Sequence, residues 1–132
     1  MHQGSCLCGA VAYEVDGELG PINYCHCKRC RKATGSAFNT GAPVKASQFR
    51  LVKGAGDLGH FVNPATGLDR TFCTKCGSPL YSRRASAPDI IRIRVGTLDT
   101  PVAEKPAAHI YVGSKATWFD IHDDLPQHAE RP

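Results

Sequence analysis

Hydrophobic and polar positions alternate along this chain over short stretches, which predicts many brief β-strands. The clearest stretch is 90–95, where two isoleucines and a valine face one way while Arg92 and Arg94 face the other. The other stretches with strand-like patterning lie at 9–15, 49–52, 60–62, 70–73, 79–82, 109–112 and 117–121. Gly and Pro occur throughout and supply turns between them, so the pattern predicts a mainly β fold.

One segment alone favours a helix. Residues 28–34 are short and rich in Lys and Arg, and Gly35 follows as a plausible C-terminal cap. No long amphipathic helix is present in the sequence. We therefore expect one short helix within a β domain.

The composition predicts a thin hydrophobic core. The chain has 132 residues, 42% of them hydrophobic, but only one Trp, one Met, five Phe and four Tyr. This length fits a single domain spanning 1–132. A core with so few large side chains would gain from a structural metal.

Charge and hydropathy bear on location and partners. The formal net charge of +4 is mild, and by itself it is weak support for a nucleic-acid partner. The sequence begins with no apolar leader and holds no apolar run long enough to cross a membrane, so we expect a cytoplasmic protein with no membrane partner. Cytoplasmic thiols stay reduced, so clustered cysteines there favour metal binding.

The seven cysteines divide into four and three. Cys6 and Cys8 form one pair and Cys73 and Cys76 another, and four thiolates close a tetrahedral zinc site. Joining pairs so distant in sequence would close a long loop and stabilise the fold. The alternatives are buried apolar cysteines for the first pair and a redox motif for the second.

Cys25, Cys27 and Cys30 would leave one corner of a zinc site open to water or substrate. Three thiolates make zinc a weak Lewis acid, better suited to holding a substrate thiolate. The chemistry this favours is formation or cleavage of a carbon–sulfur bond. His26 should have a supporting role. A purely structural zinc with His109 as fourth ligand is the alternative.

The motifs resemble a known family. Gly4–Val11, Cys25–Lys32, Phe72–Pro79, Pro106–Val112 and Ser114–Phe119 are similar to the glutathione-dependent formaldehyde-activating enzyme family, which includes centromere protein V. The resemblance implies a β-tent fold, with small antiparallel sheets around a structural zinc. It implies condensation of formaldehyde with glutathione to S-(hydroxymethyl)glutathione, a carbon–sulfur lyase reaction.

The resemblance also implies roles for the cysteines. A structural zinc would lie on Cys6, Cys8, Cys73 and Cys76. A catalytic zinc would lie on Cys25, Cys27 and Cys30, whose open position accepts the glutathione thiolate. The cofactor expectation is therefore two zinc ions.

We thus expect a zinc-dependent carbon–sulfur lyase whose partner is a small thiol such as glutathione. Side chains expected to contact the substrate or line its pocket are Lys28, Arg29, Arg31, Arg92, His109 and Trp118. The alternative is a non-catalytic zinc module that binds protein or nucleic acid. Basic and aromatic residues are not interleaved as in base-stacking proteins, which argues against nucleic acid.

Overall fold

The computed structural model describes residues 1–132 as ten β-strands, one α-helix and four short 3-10 turns. The strands are β1 His2–Ser5, β2 Ala12–Val15, β3 Ile22–Cys25, β4 Asn39–Lys45, β5 Phe49–Lys53, β6 Leu58–Val62, β7 Leu68–Cys73, β8 Pro79–Arg84, β9 Ala87–Arg94 and β10 Pro106–Ile110. The helix α1 spans Lys28–Thr34. The expected mainly β fold with one short helix is confirmed.

The strands form two sheets. The smaller sheet has the order β1-β2-β5 and is antiparallel. The larger one has the order β10-β3-β4-β9-β8-β7-β6, and its neighbours are antiparallel except for the parallel pair β10–β3. The expected antiparallel arrangement thus holds for every pair of neighbouring strands except this one. A parallel pairing needs a long crossover, which the distance between β3 and β10 along the chain provides.

The apolar and basic residues that alternate in β9 lie on opposite faces of the strand, as the sequence predicts. Ile91 and Ile93 are buried in the core, and Arg92 and Arg94 lie on the opposite face of the sheet. Helix α1 has the predicted bounds and ends at Gly35, whose φ of 67° is the left-handed conformation that glycine tolerates. The structure has no helix with the length and apolarity to cross a membrane.

The strand expected at 117–121 does not form. The segment turns, with the Phe119 amide donating to the Ala116 carbonyl, and Trp118 is 69% exposed. Conversely, β1, β3 and β4 were not predicted from sequence because their small and polar residues hide the alternation.

The hydrophobic core lies between the two sheets. Its largest member, Tyr13 of β2, stacks on Phe49 with ring centroids 5.3 Å apart. The Tyr13 hydroxyl lies 2.6 Å from Thr97 Oγ1. Gly4 of β1 is directly opposite Tyr13, and its missing side chain leaves room for the phenol ring.

The last residues of the chain follow the outer edge of β10. His109 donates its amide to the Pro126 carbonyl, and the His128 amide donates to the His109 carbonyl. This pairing covers the edge of the sheet and carries Arg131 over the ring of Tyr111, at 5.8 Å from the centroid.

Candidate functional site

Four thiols meet where the two sheets adjoin. Cys6 and Cys8 lie in the β1–β2 turn, Cys73 ends β7, and Cys76 lies in the turn before β8. The Sγ atoms all lie within 4.8 Å of one another, with Cys6–Cys8 at 3.7 Å and Cys8–Cys73 at 3.9 Å. Tetrahedral zinc with bonds of about 2.3 Å places its sulfur ligands about 3.8 Å apart. The four thiols therefore fit a zinc ion.

Two glycine turns shape this cluster. Gly9 donates its amide to the Cys6 carbonyl, Gly77 donates to the Cys73 carbonyl, and both glycines have a φ of 79°. An L side chain would be strained at this φ. The Val11 amide also donates to Cys6 Sγ at 3.2 Å, which stabilises a thiolate there.

Three further thiols gather at the start of α1. Cys25 ends β3, Cys27 caps the helix, and Cys30 lies in its first turn. Their Sγ atoms lie within 4.8 Å of one another, and the Cys30 amide donates to Cys27 Sγ at 3.3 Å. No histidine or carboxylate completes this cluster, so the ligand set could hold a metal and leave one position free.

Hydrogen bonds within the cluster separate the thiol pKa values. Bonds from Cys25 and Cys30 lower the pKa of Cys27 to about 2, whereas the pKa of Cys25 is raised, chiefly by its bond with Cys27. Cys27 thus carries the negative charge while Cys25 keeps its proton. A metal that bound here would displace that proton.

His26 contacts His109 and not the thiol cluster. Its Nε2 lies 2.7 Å from His109 Nδ1, and His109 Nε2 lies 2.9 Å from Asp123 Oδ2. Both rings are buried, and burial lowers the pKa of His26, which keeps that ring neutral. His109 is occupied on both nitrogens, so its alternative role as a zinc ligand is contradicted.

A cavity of about 690 Å³ opens beside the three thiols, all of which line it. Its floor is one face of the larger sheet. Asn23, Gly41 and Arg94 face one another across β3, β4 and β9. A second row across β4, β9, β8 and β7 consists of Pro43, Arg92, Ser82 and Arg70.

The cavity is lined by eight cationic side chains and no carboxylate. Four of them project from the sheet, namely Arg70, Arg84, Arg92 and Arg94. The remaining four come from the helix and the chain end: Lys28, Arg29, Lys32 and Arg131. None of the ion pairs in the structure involves any of these eight side chains.

Arg94 is the most buried of these cations, at 7% exposure. Its Nη1 donates to the Arg92 carbonyl at 3.1 Å, and it has no anionic partner. Burial and then the nearby charge of Arg70 lower the pKa of Arg94 to about 10, so it stays charged at neutral pH. The nearby Cys30 and Cys25 sulfurs act in the opposite direction, but Arg94 makes no ion pair, and a buried charge that lacks one is unfavourable. The cavity is therefore suited to an anion.

A second, less polar cavity of about 410 Å³ shares Arg29, Lys32, Leu68, Arg70 and Arg94 with the first. Aromatic side chains line its remaining wall: Phe61, Phe72 and Tyr81. Arg70 stands at the junction, with Nη2 3.8 Å from Cys30 Sγ.

Some of the side chains predicted to contact the substrate lie around this cavity, and the others lie elsewhere. Lys28, Arg29 and Arg92 line the cavity. Arg31 instead donates to the Ser114 carbonyl, and His109 and Trp118 do not line the cavity.

Arg70, Arg84, Arg94 and Arg131 were missed as cavity residues. For Arg94 the signal was available, since it alternates with the core isoleucines of β9. Arg131 gave no such signal, because its place depends on how the chain end packs on β10.

The two thiol clusters on a mainly β scaffold define a class of small cysteine-rich proteins with the capacity to bind metal. Residues 1–114 match the family model described as glutathione-dependent formaldehyde-activating enzyme. The chain therefore belongs to that family.

Individual relatives agree with this assignment. A Halomonas elongata protein named as a candidate glutathione-dependent formaldehyde-activating enzyme is 28% identical over 130 residues, which cover 92% of this chain and 81% of that protein. An Aspergillus flavus protein with the same name is 26% identical over 80 residues, 59% of this chain. Those residues make up only 41% of the fungal protein, so the chain matches less than half of that relative.

A solved structure shares the fold. The crystal structure of a Rhodobacter sphaeroides protein superposes with a TM-score of 0.64 at 28% identity. The match covers 79% of this chain and 97% of the other. The chain thus has the fold of that protein over most of its length.

Proposed function

We propose that this protein is a zinc-dependent carbon–sulfur lyase, which joins a small thiol to a small aldehyde and cleaves the adduct in reverse. The observation that carries the proposal is the three-thiol cluster opening into a cationic cavity. The family description adds glutathione and formaldehyde as the first substrates to test.

In this proposal Cys6, Cys8, Cys73 and Cys76 hold a structural zinc, and Cys25, Cys27 and Cys30 hold a catalytic zinc. When bound there, the catalytic zinc supplies an open coordination position that favours the thiolate form of a soft sulfur ligand. The single domain would then span 1–132.

The chain's own residues bind and orient the substrates. The guanidinium groups of Arg70, Arg92 and Arg94 are placed to hold the carboxylates of a thiol whose sulfur points toward the cluster. Holding both reactants in one cavity makes their encounter effectively intramolecular.

The bond changes balance without a further reactant. The sulfur lone pair attacks the carbonyl carbon and forms the C–S bond, while the carbonyl π pair moves to oxygen. The proton lost by the thiol is matched by the proton that this oxygen gains. In the reverse direction the hydroxyl loses its proton, the carbonyl re-forms as the C–S bond breaks, and sulfur keeps the bonding pair and regains the proton as the aldehyde leaves.

Binding of nucleic acid is the competing function, since the cavity is basic. Its only aromatic side chain is Tyr111, so it lacks the row of stacking rings that single strands require. The recessed position of Arg94 also favours a small molecule over a large surface.

Exchange NMR tests the activity directly. The zinc-loaded protein should accelerate exchange between formaldehyde and its glutathione adduct, and Cys27→Ser should abolish the acceleration. Gly96→Ala is the matched control, because a methyl group at Gly96 meets nothing within 4 Å. Lack of acceleration with every small thiol tried would sink the enzyme proposal.

Metal analysis tests the site assignment. Cys27→Ser should reduce the zinc content from two ions to one per chain while the circular dichroism spectrum persists. Unfolding of this variant would contradict an open site, since it would give the three-thiol cluster the structural role.

A further inference from the structure

The cavity beside the three-thiol cluster has a one-sided charge that bears on the kind of thiol it accepts. Of the groups that line it, eight are cations and none is a carboxylate. Its negative charge is confined to the cluster, where three thiolates and one Zn²⁺ would sum to about −1. Arg70 already contacts that cluster through Cys30 Sγ, at 3.8 Å.

Glutathione carries two carboxylates and also a free ammonium group. The carboxylates suit this cavity, but the ammonium would enter a field of like charge with no carboxylate to pair with. Four of the eight cations are at least partly buried, namely Arg70, Arg84, Arg92 and Arg94, so their repulsion of an ammonium group is screened less than that of the exposed four. The cavity therefore favours the two carboxylates of glutathione and disfavours its ammonium group.

We propose that the cavity selects a thiol with two or more anionic groups and no free ammonium group, and that it discriminates against glutathione itself. This inference rests on the proposed function in one respect, because the thiol sulfur is taken to lie at the three-thiol cluster. The charge argument concerns the remainder of the ligand.

One anionic group of that thiol has a defined seat. A methyl group built at Gly41 would lie 3.5 Å from Asn39 Nδ2, 3.7 Å from Arg94 Nη1 and 3.7 Å from the Ile93 carbonyl oxygen. Both side chains are 7% exposed, and both line the cavity. The absence of a side chain at Gly41 thus opens a space beside two buried donors, one of them a cation that makes no ion pair.

A matched pair of ligands tests the selection. Glutarylcysteinylglycine is glutathione with hydrogen in place of the ammonium group, so both carboxylates and the thiol are kept. In titration calorimetry at low salt, the zinc-loaded protein should bind it about tenfold more tightly than glutathione, which corresponds to about 1.4 kcal/mol. Equal affinity, or tighter binding of glutathione, would overturn the inference.

The S-methyl derivatives of the same pair separate this inference from the proposed function. They keep the charges but have no thiol to ionise, so a preference within this pair reports the cavity alone. A preference within the S-methyl pair, with neither free thiol binding more tightly than its own S-methyl derivative, would sink the proposed sulfur site and leave the charge selection standing. Thiol binding without preference in either pair would sink the selection only.

Variants locate the effect. Arg92→Glu places a carboxylate in the cavity and should remove or reverse the preference, and Arg92→Gln should reduce it if the first variant does not fold. Gly41→Ala should weaken the binding of both peptides several-fold and leave the ratio of their affinities unchanged, because the added methyl group fills the space proposed for the anionic group. The fold should tolerate this change, since the methyl group makes only ordinary contacts with the protein. Gly96→Ala should change neither affinity. No effect of Gly41→Ala would contradict the proposed seat.

A short single-stranded oligonucleotide is the last probe. It should bind more weakly than glutarylcysteinylglycine, since the cavity has one aromatic ring and a recessed cation. Tighter binding of the oligonucleotide would replace the small-molecule selection with a nucleic-acid partner.

Discussion

The phenol side chain of Tyr13 is buried in the hydrophobic core. Its ring is 1% exposed, lies against Phe49, and places its hydroxyl 2.6 Å from Thr97 Oγ1. Burial disfavours the phenolate and raises the pKa of Tyr13, although the bond with Thr97 acts in the opposite direction. The folded state therefore holds the Tyr13 proton more tightly than the unfolded state does.

This raised pKa predicts a loss of stability in alkali. The contribution of Tyr13 is fully present below the unfolded pKa of about 10 and is lost as pH rises through the higher folded value. Near neutral pH, the free energy of unfolding measured in urea should be about 1 kcal/mol lower for Tyr13→Phe than for wild type, because the variant lacks the hydrogen bond to Thr97. That difference should shrink above about pH 10. A difference that stays constant would show that Tyr13 ionises equally in both states.

At the scale of single residues, the sequence predicted the two thiol clusters better than the residues that line the cavity. The two cysteine clusters follow from spacing, and each gathers in the structure within 4.8 Å. Arg70 and Arg84 could not be found the same way. Their role depends on which strands neighbour β8, and that is a property of the sheet order.

Strand β1 is held to β2 by a close approach at Gly4. A methyl group there would lie 2.4 Å from the Tyr13 ring, too close for the strands to keep their register. Leu98 and Asp99 also contact β1, so displacement of this strand would spread to the β9–β10 connection.

Gly4→Ala should therefore destabilise the fold by about 2 kcal/mol, because the core cannot move Tyr13 without strain. The measurement is the midpoint of urea unfolding. Gly56→Ala is the control, since a methyl group at Gly56 meets nothing within 4 Å. A Gly4→Ala variant as stable as the control would show that the ring relocates at little cost.

Elements with strong local signals were predicted well. Helix α1 follows from its composition and the glycine that ends it, and β9 from its alternation. Strand β4 was missed, since Gly41 and Pro43 usually weaken strands. In this protein both residues line the cavity. The sequence of β4 therefore suits the cavity better than it suits the usual preferences of a β-strand.

For the whole molecule, the four-thiol cluster joins the two sheets. Its members come from the β1–β2 turn of one sheet and from β7 and the β7–β8 turn of the other, with Cys8 and Cys73 65 residues apart. The Leu7 amide donates to Ser78 Oγ at 2.8 Å across the same junction. A metal there would offset the entropy of closing a long loop.

Cys73→Ser should thus unfold the domain, in contrast to Cys27→Ser. Cys73 is fully buried, so the change removes a proposed ligand and leaves a buried hydroxyl. Circular dichroism and metal content should fall together in Cys73→Ser, and a chelator should have the same effect on wild type. A folded, soluble Cys73→Ser protein would contradict the structural role of this cluster.

The parallel pairing of β10 with β3 has a consequence for synthesis on the ribosome. Cys25 pairs with Ile110, so the outer side of β3 stays open until about 85 more residues have been made. At about 5–20 residues per second this takes roughly 4–17 s. For that interval the nascent chain presents Cys25, Cys27 and Cys30 without the wall that later encloses them. Their survival as thiols then depends on metal or reductant arriving before oxidant.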